Sequence, residues 1–161
     1  MFELKPDYEQ SKQRIEAFWA GALIDRPVVQ FHLAKPVDER VPVPVSHHAA
    51  PAERWLDAEY QARLKGAQLQ NRYFMGDTMP VAWPNLGPEV LASFYGCPIH
   101  FGDYGTSWTE PVLHRWEDAS ALRLDWKSPY LQKLEEMTDL LLKVGRDKFI
   151  VGMTDWHPGG D

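Results

Sequence analysis

Cys97 is the only cysteine among 161 residues. A lone thiol excludes an internal disulfide and fits a reducing cytoplasm, which is the expected location. The chain also has no run of Lys and Arg, and its formal net charge is −6. Both facts speak against a nucleic-acid groove or a patch for anionic lipid. No apolar stretch approaches the ~20 residues of a membrane span. The opening Met1-Phe2-Glu3-Leu4-Lys5-Pro6 lacks the basic-then-apolar order of a signal peptide. There is no internal repeat and no low-complexity tract. What is present is a globular balance, 44% hydrophobic and 25% charged, in a length that suits one ordinary domain spanning residues 1–161. The 7 Trp and 13 Pro favour many short elements and aromatic-lined surfaces over a simple helix bundle.

The order of elements follows from periodicity and punctuation. Asp7 reads as a helix cap with Gln10 three residues on, as in a capping box. Ile15, Phe18, Trp19 and Ala22 then share one face of the first helix. Gly21 and Asp25 end it, and residues 27–33 (PVVQFHL) read as a strand. Residues 35–51 carry four prolines and no period, the pattern of a long functional or mobile loop. A long helix is expected from Ala52 to about Phe74, with Trp55, Ala62 and Leu69 on one stripe. Trp19 and Trp55 are assigned to the core. Residues 79–83 (MPVAW) read as a short strand, followed by the turn cluster 84–88. A short helix over residues 89–95 stops at Gly96, and residues 97–113 suggest a small hairpin or irregular excursion. Ser128-Pro129 marks a helix start, a hydroxyl cap before proline at the first helical position. Gly145 is expected to close that helix in the left-handed conformation. The apolar run 148–153 (KFIVGM) reads as a strand buried on both faces, as in a parallel sheet. The class is therefore α/β, with helices between strands. Such a strand needs neighbours on both sides, so an uncovered sheet edge and self-association through it are expected.

Three segments in order carry a family resemblance: GCPIHFGDYGTSWTEPVL (96–113), LRLDWKSPYLQKLEEMTDLLLKV (122–144) and KFIVGMTDWHPGGD (148–161). They resemble the uroporphyrinogen decarboxylase superfamily, which includes the cobalamin-dependent methyltransferases. The opening KPDYEQSKQRIEAFWAGALIDRPVV (5–29) is similar to that of a branch described as corrinoid-linked. The resemblance implies the N-terminal portion of a (β/α)₈ TIM barrel with an N-terminal helical extension and a long insertion at 35–51. It implies an enzyme acting on a small-molecule substrate, with a corrinoid (cobalamin) protein as partner. Two departures bear on the branch. The decarboxylases carry an Arg-rich segment near the first strand, where this chain has only Arg26. They also carry a catalytic Asp where this chain has Asn85. Asn cannot hold a negative charge beside pyrrole nitrogens that become cationic, so the methyltransferase branch is preferred to uroporphyrinogen decarboxylase proper. A non-catalytic small-molecule binding module stands as the alternative from another class. The family's zinc ligands, His-x-Cys and a later Cys, belong to a second half of the barrel. No cofactor is therefore expected on these residues themselves, and the isolated chain is expected to be inactive.

In such a barrel chemistry sits at the C-terminal ends of strands, which singles out His32, Asn85, Asp155 and His157. Asp155-Trp156-His157 places a carboxylate and an imidazole two residues apart, able to bind a polar substrate or share a proton transfer. The competing reading is a helix cap by Thr154 or Asp155 with His157 exposed. His32 alternates with Phe31 and Leu33, so it points into a barrel or is a hydrogen-bonded core or rim histidine. Trp83, Trp108 and Trp156 fall in turns or the excursion and can wall a pocket for a flat or methylated ligand, or simply pack. Glu110, beside Trp108 in SWTEP, is a further substrate contact. His47-His48 and the Cys97/His100 pair each lack further ligands at useful spacing, so no zinc is expected from either.

Overall fold

The computed structural model describes residues 2–103 and 105–156. In chain order the elements are α1 (Tyr8–Trp19), β1 (Gln30–Ala34), α2 (Pro51–Leu56), α3 (Ala58–Gln70), β2 (Arg72–Gly76), β3 (Val81–Ala82), α4 (Val90–Ser93), β4 (Ile99–Phe101), β5 (Ser107–Thr109), α5 (Pro129–Val144) and β6 (Ile150–Val151). The chain is mixed α/β as expected, and its strands form three two-stranded sheets among the described residues. None of the described helices is long and apolar enough to cross a membrane. Two compact units emerge, one from Met1–Pro44, Ala62–Ala82 and Leu141–Gly152, the other from Val45–Gln61, Trp83–Leu140 and Met153–Asp161.

In the first unit β1 and β2 pair antiparallel, with Phe31 opposite Met75, His32 opposite Phe74 and Leu33 opposite Tyr73. Direct partners share a face, so Phe31, Leu33, Tyr73 and Met75 present one exposed apolar face. The segment before β1 and the turn after β2 are locked by one buried acid. Asp77 accepts Nη1 of Arg26 at 2.6 Å, Nη1 of Arg14 at 3.3 Å and the Val29 N–H at 3.0 Å. Just before it, the Gly76 carbonyl accepts Nζ of Lys5 at 2.6 Å, which keeps that buried ammonium satisfied. β3 and β6 pair parallel, Val81 with Ile150 and Ala82 with Val151.

The second unit packs Ala58, Leu86, Val90, Phe94, Ile99, Leu134 and Met137 into one core. β4 and β5 form an antiparallel hairpin in which His100 faces Trp108. The Ser107 hydroxyl donates to the Leu86 carbonyl at 2.6 Å, and the Trp55 indole N–H donates to the Gly102 carbonyl at 3.0 Å. The turn end of the hairpin is thereby tied down from both of its strands.

Several expectations from the sequence are corrected. The single helix 52–74 is instead α2, α3 and β2. Asp57 interrupts it with extended ψ of 93°, and its Oδ1 accepts the Tyr60 N–H at 2.9 Å, so it caps α3. Arg72–Gly76 leaves the helix because its β-favouring residues find a partner in β1. Trp19 is 81% exposed rather than core, because the face it shares with Phe18 has no apolar cover among the described residues. Asp7 makes no side-chain cap; its carboxylate pairs with Lys5 instead. Ser128 precedes α5 as expected, but its buried hydroxyl finds no hydrogen-bond partner among the described residues. Gly145 does not take the left-handed conformation, which falls on Asp147 (φ 60°). Glycine is required at 145 by space, since a Cβ there would lie 2.5 Å from the Phe149 ring. The apolar run 148–153 gives a strand of only two residues, both half-buried, while Met153 is exposed.

Candidate functional site

β3 and β6 run parallel and in register at Ala82 and Val151, and the Gly152 N–H donates to the Ala82 carbonyl at 2.8 Å. Adjacent parallel strands discharge their following segments at the same end. Trp83–Asn85 and Met153–Trp156 therefore leave the sheet from neighbouring positions. This is the end at which α/β sheets bind ligands. Trp83 is 46% exposed and Trp156 is 43% exposed. Trp156 meets Phe94 edge-to-face at 5.8 Å, which anchors one ring face and leaves the rest of the indole to solvent. Asp155 is exposed beside it.

Asn85 plays a local part. Its side-chain oxygen accepts the Gly87 N–H at 2.7 Å, an Asx turn that shapes the segment after β3. Thr154 is buried, and its hydroxyl has no hydrogen-bond partner among the described residues. Its hydroxyl is a polar group beside the Asp155 carboxylate that the sequence offered only as a helix cap. His157 lies outside the described residues. Comparison with family models, curated proteins and solved structures finds no match.

The remaining candidates gather elsewhere. Trp108 stacks on the His100 ring at 5.6 Å with the planes 19° apart. Glu110 brings a carboxylate oxygen to 2.8 Å from His100 Nε2, out of line for a hydrogen bond, so the contact is electrostatic when the ring is charged. The proposed Trp108/Glu110 contact is thus a three-residue cluster centred on His100 on the hairpin. His32 belongs to the other unit and sits exposed on β1 opposite Phe74. No group of three or more His, Cys, Asp and Glu side chains among the described residues is arranged to hold a metal ion.

One cavity was not foreseen. About 340 Å³ opens between α4 and the strand end of β5, lined by Tyr95, Cys97, Val112, Leu113 and Leu122 with Glu89 at its edge. The Glu89 carboxylate accepts both the Thr109 N–H at 2.7 Å and the Thr109 hydroxyl at 2.9 Å. That acid therefore fixes the pocket wall to the hairpin. Its signal in the sequence was slight: one Glu opening a short helix, twenty residues from the threonine it grips.

Proposed function

We propose that this chain belongs to an enzyme of the uroporphyrinogen decarboxylase superfamily, on the corrinoid-linked methyltransferase branch, and contributes strands β3 and β6 to its (β/α)₈ barrel. The observation that carries the reading is the parallel β3–β6 pair. A crossover ending in the 16-residue helix α5 joins the two strands, and both following segments carry the residues the resemblance selects. Trp83 and Trp156 supply flat apolar walls, and Asp155 supplies a charged oxygen that orients the substrate or takes a proton. Asn85, spent on its own turn, has neither the charge nor the freedom to stabilise a cationic tetrapyrrole, which supports methyl transfer over decarboxylation. When bound, zinc would activate the methyl acceptor as a Lewis acid. The described residues do not form a site for it.

Equilibrium dialysis of the chain against methylcobalamin tests the reading. Methylcobalamin serves as a probe for the methyl donor presented by the corrinoid partner and not as a resident cofactor; saturable binding is expected, weakened about tenfold in Trp156→Ala, roughly the worth of one aromatic contact. No saturable binding would remove the corrinoid branch. Carbon dioxide release from uroporphyrinogen would move the assignment to the decarboxylase.

A further inference from the structure

The loop 35–51 and the helix pair that follows bring together a serine, a histidine and an aspartate that the proposed function does not use. Ser46 Oγ lies 3.0 Å from His48 Nδ1, and His48 Nε2 lies 3.0 Å from Asp57 Oδ2. The two ring nitrogens are thus engaged by different partners. The direction of the chain follows from charge. The Tyr60 N–H holds the Asp57 carboxyl below its ordinary range, burial opposes this, and His48 adds to the lowering. A carboxylate can only accept. Nε2 of the neutral ring therefore carries the proton and donates to Asp57, Nδ1 keeps its lone pair, and the Ser46 hydroxyl donates to Nδ1. This is the polarity a nucleophilic serine needs, a hydroxyl aimed at a base whose tautomer is held by an acid.

The ring is fixed on a further side. Tyr60 packs edge-on against His48 at 5.0 Å and 69°. The Ala49 N–H donates to Glu53 at 2.9 Å, which binds the loop end to α2. Space is also present. A cavity of about 220 Å³ is lined by Ser46, His48, Pro51, Arg54, Tyr60 and Asp103. Ser46 itself is exposed and His48 is half-buried, so a small molecule can reach the hydroxyl from solvent.

We propose that Ser46, His48 and Asp57 form an acyl-transfer site for small esters, with Ser46 as nucleophile, His48 as general base and acid, and Asp57 as a positioning residue. Ser46 Oγ forms a bond to the acyl carbon while its proton passes to His48 Nδ1. The bond from the acyl carbon to the leaving oxygen breaks, and that oxygen takes the proton from His48. Water then attacks the acyl-serine, gives its proton to His48, and the carboxylic acid leaves as Ser46 recovers its hydrogen. No electrons are gained or lost, and the only co-reactant is water.

A fluorophosphonate probe reads the first step directly, since Ser46 would displace fluoride and gain a phosphonate ester, its proton leaving with the fluoride. With the whole chain, mass spectrometry is expected to place one adduct on Ser46. Ser46→Ala removes an exposed hydroxyl and leaves the His48–Asp57 contact in place, so the variant folds and the adduct disappears. His48→Gln is expected to slow labelling by about 10²–10⁴-fold, the usual contribution of a general base. With p-nitrophenyl acetate, Asp57→Asn should lower kcat while leaving KM near its original value, and Asp57→Glu should recover part of kcat. A merely structural Asp57 would not produce that pattern. Absence of an adduct on Ser46, or equal labelling rates in the chain and in His48→Gln, overturns the proposal.

Discussion

Asp77→Ala is expected to destabilise the first unit by about 3–5 kcal/mol, the usual consequence of removing one partner from a buried ion pair. Asp77 is 0% exposed and receives Arg26, Arg14 and the Val29 N–H. Without it, two guanidinium groups and a backbone donor lose their acceptor at once. Arg14 retains Asp25 at 2.8 Å, and the side chain of Arg26 is 37% exposed, so both cations keep some compensation. That places the expected loss toward the lower end of the range. Hydrogen exchange read on the β1 and β2 peptides is the suitable measurement, because these strands border the ion cluster. Unchanged protection of both strands in Asp77→Ala would show that the cluster carries no stability.

The same cluster sets the acid limit. Burial alone would raise the Asp77 pKa, but the hydrogen bonds from Arg26, the Val29 N–H and Arg14 outweigh it and hold the carboxyl below its ordinary value. Asp25 is drawn down to about 2, chiefly by its hydrogen bond from Arg14. A carboxyl with a depressed folded pKa contributes stability that is complete above the unfolded value of about 3.9. That contribution is lost as pH falls through the folded value. The first unit should therefore lose protection from about pH 4 downward, and the loss should be shallower in Asp77→Asn, which no longer binds that proton. An acid profile identical in the variant would assign the transition to other carboxylates.

How far the sequence could be read depends on the range of the interaction involved. α5 was legible because a local signal, Ser128-Pro129, precedes apolar residues at helical spacing, Leu131, Leu134, Met137, Leu141 and Val144. Its packing bears this out in Leu134, Met137 and Leu141, all buried. The hairpin at 99–109 was half legible, since residues 97–113 read equally as a small hairpin or an irregular excursion. β2 was not, because residues 72–74 follow the helical segment with no turn signal between them and become a strand only by pairing with β1, some forty residues earlier. Trp19 carried the periodicity of a core residue, but periodicity reports a face and not what covers it. The same limit applies to chemistry. Of the residues selected by strand position, Asn85 and Asp155 do follow β3 and β6, whereas His32 lies in the middle of β1 rather than at its end. The Ser46–His48–Asp57 chain could not be read from the sequence, because its two contacts depend on how a proline-rich loop folds onto the break between α2 and α3. His47-His48 drew attention as a metal pair, whereas the structure gives His48 an acid and a hydroxyl as its partners.

The turn that follows Asn85 yields the other large expected effect. Gly87 has φ of +102°, and a Cβ there would lie 1.6 Å from Ser107 Oγ and 2.8 Å from Ser107 Cβ. Gly87→Ala therefore meets two separate penalties. A side chain in that backbone region costs roughly 1–3 kcal/mol. Overlap with Ser107 costs roughly 1–3 kcal/mol more, because relieving it means breaking the bond from the Ser107 hydroxyl to the Leu86 carbonyl. Gly96→Ala separates the two: Gly96 has φ of +92°, but nothing lies within 4 Å of its Cβ position, so only the strain remains. Urea denaturation followed by tryptophan fluorescence suits this unit, which holds six of the 7 tryptophans, Trp55, Trp83, Trp108, Trp116, Trp126 and Trp156. Gly87→Ala should be clearly less stable than Gly96→Ala, and adding Ser107→Gly to Gly87→Ala should restore part of the difference. Equal losses in the two glycine variants would mean that the close approach of the hairpin to the turn does not hold this segment.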